Sequence, residues 1–244
     1  MFSFFKKKST TSIFELLQTD IHSHLVPGID DGSPDLATSL RYLQRFQEMG
    51  LQRVITTPHI YDGLYNNTTS IIQSGLAQLQ KEVSKQGLGI KIEAAAEYFV
   101  DKHFEQLLAA NDLLSFGTRR YVLIEMSFVA PSQQLETVIF QLLTKGYQPI
   151  LAHPERYNYL HHSMNTYKHI HELGCMLQVN LPSLCGYYGP ATKKIAQQLI
   201  KLDLVDFLGT DLHHDRHLEL FVAHQFDADL AKLLQKGNFK NVLL

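Results

Sequence analysis

Short apolar runs alternate along most of the chain with amphipathic stretches. From residue 18 onward the runs are Thr19–His22, Arg53–Thr57, Ile90–Ala96, Tyr121–Glu125, Pro149–His153, Met176–Asn180 and Val205–Gly209. They are brief and rich in β-branched or small residues, the pattern of parallel strands covered on both faces. Between them the apolar spacing becomes that of a helix. Ser33-Pro34 before Leu36, Leu40 and Leu43 reads as a cap, a proline at the first helical position and one apolar face, ended by Gly50. Ser132 to Lys145 repeats the pattern with Gly146 as its stop, and Ile71–Val83 and Thr192–Leu202 read as further helices. Seven strands separated by helices predict one parallel α/β domain, with an open doubly wound sheet as the alternative. No GxGxxG follows the first strand and no Walker A loop occurs, so the usual nucleotide signatures are missing.

Composition narrows the class. With 244 residues and 45% apolar content the chain can bury a core. No stretch approaches 18 consecutive apolar residues, so no spanning helix is expected. A net charge of −2 gives no electrostatic sign of a nucleic-acid partner. Cys175 and Cys185 form no CxxC and are too few for a disulfide scaffold, which fits a reducing cytoplasm. The first residues run Phe-rich and then Lys-rich, the reverse of a secretory signal. Met1 to about Thr11 reads as a frayed terminus. The sharper alternative is a weak membrane or partner contact through Phe2, Phe4, Phe5 and Lys6 to Lys8. The domain organisation expected is an N-terminal tail over 1–17 and one domain over 18–244.

Thirteen histidines are roughly twice the ordinary share, and their positions decide what they mean. The predicted strands end in His22-Ser23-His24, Thr57-Pro58-His59, Glu97, Glu125, His153-Pro154-Glu155-Arg156, Asn180 and Asp211-Leu212-His213. Successive ends lie roughly 30 residues apart, one crossover unit each. In a closed parallel barrel all these ends share one rim, and that rim holds the active site. Residues i and i+2 face the same way, so His22 with His24, and Asp211 with His213, can point at common ions. Imidazole and carboxylate together suit zinc, manganese or iron. An HxH alone is weak; the whole set in phase with strand ends is what points to metal. His103, His161, His162, His169, His171, His214, His217 and His224 fall outside that phase and are expected on the surface. Asp20 shares a face with His22 and either supports it or points at solvent.

The run Asp20-Ile21-His22-Ser23-His24-Leu25-Val26-Pro27-Gly28-Ile29-Asp30-Asp31-Gly32 closely resembles the opening of the capsule-locus tyrosine phosphatases, the CpsB/CapC family of the polymerase-and-histidinol-phosphatase (PHP) superfamily. The resemblance continues through Thr57-Pro58-His59, Glu97, Glu125, His153-Pro154-Glu155-Arg156 and Asp211-Leu212-His213. It implies an α/β fold, a distorted seven-stranded TIM-like barrel of the PHP type. It also implies three divalent ions, manganese first, with iron, zinc or cobalt as alternatives. By motif position one ion would take His22, His24, Glu97 and Asp211. A second would take Glu97 as a bridge with Glu125 and His153, and a third Asp31, His59 and His213. Arg156 and Arg216 would contact the substrate phosphate. The implied partner is a phosphotyrosine protein, a bacterial tyrosine autokinase with a tyrosine-rich tail that controls capsule or exopolysaccharide export.

The residues agree with phosphomonoester hydrolysis. Ions that lower the pKa of a water toward 7 can supply the nucleophile, and a bidentate arginine such as Arg156 can neutralise phosphoryl oxygens. Glu155, His214 or Asp215 could supply a proton to the leaving group. Thiol catalysis is excluded, because the positions six residues after Cys175 and Cys185 hold Leu181 and Ala191, not arginine. A binuclear amidohydrolase would want lysine where Glu125 stands. The nearest rival is a phosphatase for small substrates such as histidinol phosphate, which a rim of tyrosines or basic residues would argue against. The most distant is a metal-free binding scaffold.

Overall fold

Two of the seven expected strands end slightly early, at Thr56 and Ala94, and pairing resumes beyond Pro58 and the Ala95-Ala96 pair in two further strands. The computed structural model describes residues 12–223 and 228–244. Its strands are β1 (Thr19–Asp20), β2 (Arg53–Thr56), β3 (His59–Ile60), β4 (Lys91–Ala94), β5 (Glu97–Phe99), β6 (Tyr121–Glu125), β7 (Gln148–Ala152), β8 (Met176–Asn180) and β9 (Phe207–Gly209). All pairs are parallel, in the orders β1-β2-β4 and β3-β5-β6-β7-β8-β9. Ala95 N donates to Thr56 O at 2.9 Å and Glu97 N to Pro58 O at 3.1 Å, so the two sheets run into each other across both breaks.

The ring then closes on itself. Ser23 forms a parallel bridge with Leu212. Asp211 N donates to His22 O at 2.7 Å and His24 N to Leu212 O at 3.0 Å. These bonds remove the open, doubly wound alternative and leave a distorted parallel barrel. Its wrapping helices are α1 (Ile13–Leu17), α2 (Leu36–Met49), α3 (Thr69–Lys85), α4 (Lys102–Ala110), α5 (Leu135–Thr144), α6 (Met164–Glu172), α7 (Leu181–Cys185), α8 (Pro190–Lys201), α9 (Asp215–Ala223) and α10 (Ala228–Lys236).

Two apolar cores follow from this closure. The larger fills the space between strands and helices, with Leu43, Phe46, Leu79, Ile139 and Leu199 from the helices. The smaller lies inside the barrel and contains Ile21, Ile55, Leu123, Ile150, Met176 and Phe207. Its floor is closed by the C-terminal segment. Asn241 accepts from Leu208 N at 3.0 Å and donates to Leu208 O at 2.8 Å and Thr19 O at 2.9 Å. Leu244 packs against the inner core.

The structure corrects several boundaries. The tail does not extend to residue 17. Ser12 and Glu15 form a reciprocal capping box, and Ile13, Phe14 and Leu17 of α1 are buried in the larger core. Residues Met1 to Thr11, with the contact expected of Phe2, Phe4, Phe5 and Lys6 to Lys8, lie outside the described residues. The cap of α2 is Asp35, whose carboxylate accepts from Thr38 N at 2.8 Å, and not Ser33. Ser33 is buried, with its hydroxyl against that of Ser39 at 2.8 Å. Helix α5 starts at Leu135 and not at Ser132, whose hydroxyl instead accepts from Gln134 N.

Candidate active site

The site is built from strand ends whose inward positions change character along each strand. In β6 the inward positions run Tyr121, Leu123, Glu125; in β8 Met176, Gln178, Asn180; beyond β9 Phe207, Gly209, Asp211. The apolar members fill the barrel and the polar members reach its C-terminal mouth. Two backbone positions there are strained. His153 and Asp211 have φ of 33° and 48°, a region that side chains beyond glycine seldom occupy. Gly32 lets the loop after β1 fold back, since a Cβ there would lie 2.3 Å from both Cβ and O of His24.

His22, His24, Glu97 and Asp211 converge below the mouth, all fully or nearly fully buried. His22 Nδ1 lies 2.8 Å from Gln178 Oε1, and His24 Nδ1 lies 2.8 Å from Asp30 Oδ2. With the Nδ1 atoms so engaged, both Nε2 atoms turn inward, 3.4 Å apart. Glu97 Oε2 stands 3.0 Å from His22 Nε2 and 3.3 Å from His24 Nε2. Asp211 Oδ1 stands 3.3 Å and 3.7 Å from the same two atoms. Two neutral imidazoles and two carboxylates would thus present only lone pairs to one another. A buried set of this kind is stable only with positive charge in its midst, from protons or from a cation.

The cluster continues outward. His153 Nε2 is 3.1 Å from Glu97 Oε1 and 3.8 Å from Glu125 Oε2. His59 Nδ1 is 3.2 Å from Glu125 Oε1 and 3.4 Å from Glu97 Oε2. His59 Nε2 and His213 Nε2 lie 3.6 Å and 3.5 Å from Asp31 Oδ1. Among the described residues four groups therefore bring donor atoms within 4.8 Å of one another: His24, Asp31, His59 and His213; His22, His24 and Asp211; His22, Glu97 and His153; His59, Glu97 and Glu125. Buried Nδ1 atoms of His59 and His153 lack hydrogen-bond partners. Nitrogen and carboxylate donors in this number fit divalent transition metals, with Glu97 shared between groups.

Electrostatics reports the same crowding. Burial alone would lower the pKa of His22, but Glu97 and Asp211 raise it to about 10. His59 is likewise raised to about 10 against burial, by Glu97, Glu125 and Asp30. Burial opposes the charge on Glu97 and Asp211 too, yet the imidazoles around them hold both well below the usual carboxylate range. The same carboxylates that raise the two imidazoles would attract a bound cation, so protons and metal compete for one set of groups.

The mouth opens into a cavity of about 440 Å³ lined by Asp31, His59, Glu97, Glu125, His153, Asp211 and His213 together with Phe128, Arg156, Tyr187, Tyr188, His214 and His217. Arg156 is clamped there. Its guanidinium carbon lies 4.7 Å from the ring centre of Phe128 and 4.3 Å from that of Tyr188, and Nη1 donates to Asp211 Oδ2 at 2.9 Å. Arg216 is not brought into this cavity. It lines a neighbouring depression with Arg41, Tyr42 and Asp215, and Asp31, His213 and His214 border both.

Other expectations are corrected. Glu155 is wholly buried, its Oε1 accepts from Asn180 N at 2.9 Å and Ser183 Oγ at 2.6 Å, and it does not line the cavity, so its contacts anchor α7. Asp215 is paired with Arg41 at 2.7 Å. His217 is buried and not a surface residue; its Nδ1, like that of His213, bonds Asp211 O, at 3.0 Å and 2.9 Å respectively. Burial lowers its pKa to about 4. His171 is half-buried against Asp206 at 3.2 Å, and His161 bonds Glu155 O at 2.7 Å. His224 lies outside the described residues. Asp20 does not point at solvent: it accepts from Thr210 N at 2.8 Å and Thr210 Oγ1 at 2.9 Å, tying β1 to the segment that carries Asp211. Burial raises its pKa to about 6 despite those bonds.

A family model for capsular polysaccharide synthesis, CpsB/CapC, matches residues 18–226. The chain belongs to the CpsB/CapC family. Among its relatives, the tyrosine-protein phosphatase YwqE of Bacillus subtilis is 31% identical over 195 residues, which are 80% of this chain and 77% of that protein. The tyrosine-protein phosphatase CpsB of Streptococcus agalactiae is 26% identical over 200 residues, 80% of this chain and 82% of that protein. Crystal structures of YwqE from Bacillus subtilis and CpsB from Streptococcus pneumoniae, both metal-dependent tyrosine phosphatases, include a chain that superposes with a TM-score of 0.77 at 29% identity, over 93% of each chain. A histidinol phosphate phosphatase from Lactococcus lactis superposes with a TM-score of 0.51 at 15% identity, over 91% of this chain and 93% of that one, and shares the fold.

Proposed function

We propose that this CpsB/CapC chain is a metal-dependent protein-tyrosine phosphatase that hydrolyses phosphotyrosine. The observation that carries the reading is the buried histidine–carboxylate cluster opening into the same cavity as a clamped arginine. In this reading His22, His24, Glu97 and Asp211 would hold one ion. Glu97, Glu125 and His153 would hold a second, and Asp31, His59 and His213 a third. Manganese is the metal proposed.

Bound there, divalent ions supply a water activated near neutral pH and neutralise phosphoryl charge. The chain's own residues do the rest. Arg156 is already ordered by two rings and Asp211, so little rotamer freedom is lost when its remaining N–H groups meet phosphoryl oxygens. Phe128 and Tyr187, 46% and 40% exposed at the mouth, offer apolar surface to an aryl group. A phenol of pKa near 10 leaves more readily than an alkyl alcohol, so a cavity in which His214 is the one remaining candidate donor among Glu155, His214 and Asp215 favours tyrosine over serine esters. The aromatic rim favours this reading over a phosphatase for histidinol phosphate.

The physiological substrate in this proposal is the tyrosine-rich tail of a bacterial tyrosine autokinase that controls capsule or exopolysaccharide synthesis, met in the cytoplasm. Among the described residues no helix is long and apolar enough to cross a membrane. The test is phosphate release from a phosphotyrosine peptide against histidinol phosphate, with metal analysis of the same sample. Preference for the peptide, abolished by chelation and restored by manganese, is the expected result. Preference for histidinol phosphate over every peptide tried would replace the tyrosine reading, and full activity after chelation would end the metal one.

A further inference from the structure

Gln178 and Asn180 take no part in the cluster as ligands, yet they join two of its members through a directed chain of hydrogen bonds. His22 Nδ1 meets Gln178 Oε1 at 2.8 Å, Gln178 Nε2 donates to Asn180 Oδ1 at 2.9 Å, and Asn180 Nδ2 donates to Asp211 Oδ2 at 2.6 Å. All four side chains are buried. The direction of this chain is dictated from one end. Asp211 is a carboxylate that already accepts from Arg156, so it can only accept from Asn180. Asn180 must therefore turn its amide nitrogen to Asp211 and its oxygen to Gln178. Gln178 must answer with its nitrogen and turn its own oxygen to His22. His22 must then carry a proton on Nδ1, so that the proton it gives up to a metal ion is the one on Nε2, which faces Glu97 and Asp211.

We propose that Gln178 and Asn180 are positioning residues whose amide polarity, set by Asp211, fixes which nitrogen of His22 faces the metal-binding cluster. Each amide has one orientation that satisfies both neighbours, so the usual ambiguity of amide assignment disappears. The pair comes from one strand at i and i+2, which points both side chains inward from β8. Gly209 makes the room, since a Cβ there would lie 2.7 Å from both Gln178 Nε2 and His22 Cβ. A histidine held this way is a better ligand, and loss of such a partner typically lowers metal affinity about 10- to 100-fold.

The inference rests on the metal-holding role proposed for His22 and Asp211, and the test separates the two. Zinc affinity of the full chain is measured at pH 8 by competition with a chromophoric chelator, with thermal unfolding of each metal-free variant as a control on folding. Asn180→Asp keeps the shape but turns an acceptor toward Asp211, whereas Asn180→Ala removes the link without a clash. Directed polarity predicts that Asn180→Asp binds zinc more weakly than Asn180→Ala; a merely structural role predicts the reverse order. At the other end Gln178→Glu keeps an acceptor for His22 Nδ1 and Gln178→Leu does not. Gln178→Leu is expected to lose about 10- to 100-fold in affinity, and Gln178→Glu to recover only part of it, because its second oxygen then faces Asn180 Oδ1 where Gln178 had donated. In the zinc-loaded protein a slowly exchanging His22 Nδ1 proton is expected in ¹⁵N-edited spectra of wild type and Gln178→Glu, and not of Gln178→Leu. Zinc-binding wild type with Asn180→Asp equal to or tighter than Asn180→Ala, or with Gln178→Leu unchanged, would overturn the inference alone. Wild type that takes up no zinc would overturn the metal reading and this inference with it.

Discussion

The floor and the mouth of the barrel are made from the same strands and solve opposite problems. At the floor Ile21, Ile55, Leu123, Ile150 and Phe207 pack without polar partners, and Asn241 closes the ends with three backbone hydrogen bonds. At the mouth, one to four residues further along, His22, Glu97, Glu125, His153 and Asp211 crowd their donor atoms together. The floor lowers its free energy by removing apolar surface from water. The mouth raises it by burying charge, and depends on cations or protons to become neutral. The floor therefore carries stability, and the mouth carries chemistry that the floor must tolerate.

The widest separation between the two is expected at Glu97. Replacing it by glutamine removes a carboxylate shared by two groups of donors. Turnover of a phosphotyrosine peptide should fall to background even at saturating manganese, while the melting temperature of the metal-free protein should not drop as it would for a core truncation. Near-wild-type turnover in Glu97→Gln would dissolve the distinction between mouth and floor at its centre.

Arg156 comes next. Arg156→Ala should lower kcat by about 10²-fold with metal content unchanged, because a charge-neutralising donor acts most strongly where charge develops. Arg156→Lys should restore part of this, since a point charge can neither fork nor stack between Phe128 and Tyr188. Steady-state kinetics decides: a rise in KM alone would make Arg156 a docking residue.

How far each region could be read from the sequence follows from the same contrast. The mouth was legible because histidines and carboxylates end apolar strands, where a covered sheet has no packing reason for them. Closure came only through the family resemblance and not from the residue pattern: it rests on backbone bonds between His22, His24, Asp211 and Leu212, which no side-chain pattern encodes. Asp30 was passed over for its neighbour, although it is Asp30 that holds His24 at 2.8 Å. His217 looked like a surface residue because its position in the helix after Asp211, and not a strand period, turns it inward. Gln178 was hidden by being neutral, and Asn180, visible as a strand end, was given no role for the same reason. Helix α1 carried a readable signal in Ser12-x-x-Glu15, masked by its brevity and by the Phe-rich and Lys-rich run before it.

At the floor, Asn241→Ala should cost about 1–3 kcal/mol, the range for leaving buried partners unsatisfied, here Leu208 N and O and Thr19 O. Denaturant unfolding measures it. Zinc affinity and KM should stay at wild-type values, since the contacts of Asn241 are with the floor. A matching loss of metal affinity would show that floor and mouth are mechanically coupled.

The last contrast is one of sign, in the response of stability to pH. In the metal-free protein His22 and His59 have folded-state pKa values raised to about 10, against about 6.5 when unfolded. The folded state therefore binds these protons more tightly, and their contribution is complete below pH 6.5 and lost as pH rises toward 10. Glu97 and Asp211, held low, contribute above the ordinary carboxylate range and lose that contribution only as the solution becomes strongly acidic. Of these four groups only the histidines change between pH 6.5 and 10, and the buried Cys175 thiol, raised from an ordinary value near 9, acts in the same direction, so the melting temperature of the metal-free protein should fall across that window. With metal bound the same imidazoles must be unprotonated, and protons compete with the ions. The loaded protein should therefore gain stability from pH 6 upward until its sites are full. Melting curves of stripped and manganese-loaded samples across pH 6–9.5 should thus slope in opposite directions. Parallel slopes would mean that protons and metal do not compete for His22 and His59, and that the charge at the mouth is balanced elsewhere.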